Sequence, residues 1–147
     1  CRFESGLRHH IVATKQAILG TRMNVFFDVD STIISYYGGL RPHVREAFQK
    51  LKEAGHCIYI WSGVGIRWDV VRANKLEEFV SDCFIKPLSD HKNMLHQLGV
   101  TVYPDFCVDD YESVIQPFGG ITIKPYFYAD ALDKEMLRVL DAILNHN

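Results

Sequence analysis

Hydrophobic positions along this chain fall into two kinds of pattern that alternate. Short unbroken apolar runs at Asn24–Phe27, His56–Trp61, Cys83–Ile85 and Phe106–Val108 read as strands buried on both faces, since such strands show no polar alternation. Ile121–Ile123 reads as a further strand at the sheet edge. Between the runs, apolar residues recur at helical spacing. Val44, Ala47, Phe48 and Leu51 follow Pro42, and Gly55 ends that helix. A helix over 66–80, with a break allowed in it, would bury Trp68, Val71 and Leu76. Asp90 caps a helix carrying Met94, Leu95 and Leu98, and Asp130–Leu144 forms a last amphipathic helix. Strands alternating with helices imply parallel βαβ units, and so an α/β fold with a three-layer α/β/α sandwich around a mostly parallel sheet.

Length and composition fit that picture. The chain has 147 residues, 48% of them hydrophobic and 23% charged, which matches one globular domain with a sizeable core. Residues 1–20 read as an N-terminal extension with a helix over His10–Leu19, and 21–147 as the domain proper. The chain opens on Cys1, which points to a start inside a longer reading frame or to trimming. A net charge of −2 excludes a global basic field for nucleic acid, and no apolar run is long enough to span a bilayer. Four cysteines at 1, 57, 83 and 107 lack metal-type spacing. Cys57 and Cys107 are expected to be small buried hydrophobes in a reduced, cytoplasmic protein, with disulfides left open.

Candidate chemistry sits where the strands end. The first strand stops at Asp28-Val29-Asp30-Ser31-Thr32, the second at Ser62-Gly63, the third at Lys86 and the fourth at Asp109-Asp110. The carboxyl ends of parallel strands are where α/β sheets bind ligands. Taken singly, each is an ordinary turn residue. In series, carboxylates, a hydroxyl and an ammonium suit a phosphoryl group and a divalent cation such as Mg²⁺.

These residues resemble the haloacid dehalogenase superfamily of phosphohydrolases. Asp28-Val29-Asp30-Ser31-Thr32 is similar to its nucleophile motif, and Ile60-Trp61-Ser62-Gly63 to its second, hydroxyl-bearing motif. Lys86 is similar to the third and Val108-Asp109-Asp110 to the fourth, while His43 stands where the family often has Gly. A two-component receiver domain gathers similar groups, but with its acid pair on the first strand and its Lys on the last; the order here favours the hydrolase. The resemblance implies a Mg²⁺-dependent phosphomonoester hydrolase, with a phosphotransferase or a non-catalytic scaffold that retains the site as alternatives. Asp28 would be the nucleophile and Asp30 the general acid and base. Asp28, the Asp30 carbonyl and Asp109 would hold Mg²⁺, with Asp110 either at the metal or orienting Lys86. Ser62, Gly63 and Lys86 would bind the phosphoryl oxygens.

The family's selectivity usually comes from an inserted cap, and no insertion here is long enough to form one. The substrate is therefore expected to be a small phosphate ester enclosed with a neighbouring subunit in a homo-oligomer, or a phosphate at a macromolecular end. Nucleic acid is not favoured. Tyr36 and Arg67 are the candidate selectors, Tyr36 for stacking and Arg67 for a second anion.

Overall fold

A computed structural model describes Cys1 and residues 21–146. The helix expected over His10–Leu19 lies outside the described residues. Among those described, five strands and five helices make an α/β fold around one all-parallel sheet. The strands are β1 (Asn24–Phe27), β2 (Cys57–Ser62), β3 (Val80–Ile85), β4 (Phe106–Asp109) and β5 (Gly120–Thr122), and they lie in the order β3-β2-β1-β4-β5. The chain reverses its direction of growth at β1, which pairs with both β2 and β4. A crevice therefore opens at the carboxyl ends of β1 and β4, the place such a topology offers a ligand.

The sheet is covered on both faces, and successive residues choose between them. Val25 and Phe27 of β1, Ile58 and Ile60 of β2, and Phe106 and Val108 of β4 point to one side. There they meet α1 (Val44–Glu53), α2 (Trp68–Ala73) and α5 (Glu135–Leu144), which bury Val44, Phe48, Leu51, Val71, Met136 and Leu140. Phe26, Tyr59, Trp61 and Cys107 point to the other side, against Leu95, Val114 and Ile115. That layer holds α3 (His91–Met94) and α4 (Glu112–Phe118). β5 can approach β4 closely because residue 120 is glycine: a Cβ there would run into the Cys107 carbonyl oxygen.

Several elements differ from their sequence expectation. The helix expected over 66–80 is only Trp68–Ala73, since Lys75 takes a left-handed φ of 55° and the chain then enters β3 at Val80, three residues before the expected strand. The last helix begins at Glu135 instead of Asp130. Asp90 does not cap α3 through its side chain, which instead accepts from the Asn93 amide. The helix α4 was not anticipated at all. Cys57 is buried as expected but is bonded to Cys1, which closes a disulfide onto the start of β2. Cys83 and Cys107 are free and buried. No helix of the described residues is long and apolar enough to cross a membrane.

Candidate active site

The site begins with how β1 ends. Asp28 still belongs to the sheet, its N–H donating to the Val108 carbonyl at 3.0 Å, and its side chain is buried. The backbone then turns sharply. Ser31 takes a left-handed φ of 64°, its N–H donates to Ile34 O, and Thr32 and Ile33 both donate back to Val29 O. This turn swings the Thr32 hydroxyl onto Asp28 Oδ2 at 2.8 Å.

Lys86, the residue after β3, reaches across the strand ends. Its Nζ donates to Asp28 Oδ1 and to Asp109 Oδ2, both at 2.8 Å. Asp109 is fully buried, and its other oxygen accepts from the Tyr111 N–H at 2.9 Å. Asp110 lies beside them and faces the opening. One ammonium therefore bridges two carboxylates, with a third beside them. Burial foremost, then the charges of Asp28 and Asp109, pushes the Asp110 carboxyl up to about 7. Burial raises Asp28 as well, with the Asp109 charge adding to it and Lys86 and Thr32 opposing. Burial alone would lower the Lys86 ammonium, but the two carboxylates it bridges override this and raise it, so Lys86 stays charged.

Among the described residues, Asp28, Asp109 and Asp110 each place an oxygen within 4.8 Å of the others. Hard oxygen donors gathered this closely, with more negative charge than Lys86 offsets, fit a divalent cation. The Asp30 carboxylate is not part of this group; it pairs with Arg67 Nη1 at 2.9 Å, and Arg67 Nε also meets Asp69 at 3.4 Å.

These groups share a cleft of about 410 Å³. Asp28, Asp30, Ser62, Gly63, Lys86 and Asp110 all line it, so six of the expected residues come together. The Ser62 hydroxyl oxygen accepts from the Val64 N–H at 3.2 Å, which leaves its own proton available for an anion. The other three expected residues do not line the cleft: Asp109 is fully buried. Tyr36 instead packs edge-on against Tyr37 in an exposed aromatic group that Tyr128 completes, and Arg67 is engaged by Asp30 and Asp69.

Two sets of residues escaped the sequence reading. The cleft wall beyond the acids includes Val64, Leu88 and Tyr111, each one or two positions beyond a strand-end residue, and His91 at the start of α3. The other is Arg41, 1% exposed. Its guanidinium pairs with both oxygens of Asp133 at 2.8 and 3.0 Å, donates to Thr32 O and Lys124 O, and lies 5.0 Å from the centre of the Tyr126 ring. It ties the turn after Asp30 to the segment before α5. Comparison with models of known protein families and with curated protein sequences finds no match.

Proposed function

We propose that this protein is a Mg²⁺-dependent phosphomonoester hydrolase that works through a phosphorylated Asp28. The observation that carries this reading is the buried ammonium of Lys86 bridging Asp28 and Asp109 at 2.8 Å each, next to Asp110, at the carboxyl end of a parallel sheet. Structural ion pairs are normally balanced; this one has surplus negative charge facing a cleft, as a site awaiting a cation does.

The chemistry follows from the side chains. Thr32 and Lys86 fix the Asp28 carboxylate from both sides, so that one oxygen can be aimed in line at a phosphorus atom. Asp28 attacks phosphorus, the bond to the leaving oxygen breaks, and an aspartyl phosphate forms. Asp30, at the rim of the cleft, leaves Arg67 and takes up a proton from solvent as the ester binds, and then gives that proton to the leaving oxygen. Water then attacks the phosphorus, its proton returns to Asp30, and Asp28 is released with inorganic phosphate. The Ser62 hydroxyl and the backbone N–H of Gly63 bind phosphoryl oxygens, and Lys86 supplies positive charge to them. Asp28, Asp109 and Asp110 would hold Mg²⁺, which supplies further charge compensation for the phosphoryl group.

Turnover of a phosphate-ester panel, with and without Mg²⁺, tests the reading. Phosphate release that needs Mg²⁺ and disappears in Asp28→Asn supports it. Full turnover in a chelator, or in a folded Asp28→Asn protein, overturns it.

A further inference from the structure

We propose that the wall of the cleft away from the acids is a leaving-group subsite for an aromatic alcohol, so that the esters this protein prefers are aryl phosphates and not sugar phosphates. This rests on the phosphatase reading of the same cleft. Beyond the groups that serve the phosphoryl centre, the lining turns apolar: Val64, Leu88 and Tyr111 stand around the mouth at 81%, 77% and 67% exposure. Single exposed apolar residues are commonplace, but three around one opening are not. The polar side-chain groups on that wall are His91, Ser113 and the Tyr111 hydroxyl. A sugar would bring several hydroxyls that lose water there and find too few partners, whereas an aromatic ring loses nothing and gains contact area.

Each of the three is held in register with the phosphoryl centre. The Val64 N–H donates to Ser62 Oγ, and the Tyr111 N–H donates to Asp109 Oδ1. Leu88 follows Lys86 by two residues and lies over the Ser62-Gly63 turn. A Cβ on residue 63 would come 2.5 Å from Leu88 Cδ2, so the leucine side chain packs directly on Gly63, beside the place where the phosphoryl group would sit. Tyr111 presents the ring against which an aromatic leaving group can stack offset or edge-on. A cleft of about 410 Å³ has room for a phosphoryl group and one such ring. The same chemistry is offered by a free aryl phosphate and by phosphotyrosine in a peptide.

The test is binding, because a phenol is a better leaving group than an alkyl alcohol and a rate advantage could arise without any subsite. In Mg²⁺, calorimetry compares benzylphosphonate with 2-hydroxyethylphosphonate, neither of which can be hydrolysed, with inorganic phosphate as internal reference. Benzylphosphonate should bind about tenfold tighter than the hydroxyethyl compound. In Leu88→Ser and Tyr111→Ser, both at exposed positions, that ratio should fall toward one. A peptide carrying phosphonomethylphenylalanine separates the sources: tighter binding than benzylphosphonate assigns phosphotyrosine, and equal binding assigns a free aryl ester. Equal binding of the two small phosphonates, a ratio untouched in both variants, or no binding of either overturns the subsite. An aromatic preference in a protein that hydrolyses no ester would keep the subsite and remove the hydrolase reading. Hydrolysis without the preference would do the reverse.

Discussion

Among the described residues Arg41 and Lys86 are both buried, and they are treated in opposite ways. Arg41 meets one carboxylate, Asp133, on both its oxygens; its further donors go to two backbone carbonyls, and an aromatic ring lies against its plane. Charge and hydrogen bonds balance there. Lys86 meets Asp28 and Asp109 with Asp110 adjoining, so three acids share one ammonium and Asp110 is driven up to about 7. The same fold thus holds one ion pair that is satisfied and one cluster that is not. A satisfied pair specifies how two segments meet; an unsatisfied one is available for something from outside.

Removing function and removing structure should therefore come apart. Asp28→Asn keeps the shape of the nucleophile and takes away its charge. Steady-state assays should show a loss on the order of 10³-fold or more in kcat, with thermal melting little changed. Arg41→Met should do the opposite kind of damage, leaving the partly buried Asp133 and two backbone carbonyls without their donor. Denaturant unfolding should report a loss of about 3–5 kcal/mol, the usual cost of breaking a buried pair from one side. Asp133→Asn should fall in the same range. An Arg41→Met protein as stable as the parent would abolish the contrast drawn between the two sites.

The contrast sharpens further at Asp110. The metal-free cluster repels itself, so Asp110→Asn should raise the melting temperature without metal and diminish the gain that Mg²⁺ produces. In the parent, Mg²⁺ at a hundred times its Kd should add about 2.7 kcal/mol. Differential scanning calorimetry with and without Mg²⁺ measures both.

The smallest effect concerns a surface pair beside the Arg41 clamp. Arg138 foremost, with the Lys124 N–H, holds the Glu135 carboxyl down from its ordinary 4.5 to about 2. A folded pKa below the unfolded one stabilises the fold above pH 4.5, and that contribution is lost as pH falls toward 2. Melting curves of Glu135→Gln should lie slightly below the parent at pH 7 and converge with it across that interval.

How much of this was readable in the residues depends on range. β1, β2 and β4 were legible because strands buried on both faces leave unbroken apolar runs, and their ends marked Asp28, Ser62 and Asp109 without further information. The helix α4 was not, because seven residues with Pro117 inside and two buried side chains make no periodic pattern. The α2 region looked longer than it is, since Leu76 keeps the helical spacing although it belongs to the turn after Lys75. Arg41 read as a residue before a helix; nothing local announces a partner 92 positions away. The Cys1–Cys57 bond hides for the same reason. His43, placed where the resembling family often has Gly, does take a left-handed φ of 69°. Val64, Leu88 and Tyr111 were within reach, one or two positions beyond strand-end residues already singled out, but strand ends had been searched only for polar groups.

The account stands or falls on whether Asp28 carries the phosphoryl group. The direct measurement is rapid acid quench of the enzyme during turnover of an aryl phosphate in Mg²⁺, followed by peptide mass spectrometry. The predicted result is one phosphoryl increment on the peptide containing Asp28, dependent on Mg²⁺ and missing from Asp28→Asn. Turnover with no increment there, or with the increment on another residue, would contradict it.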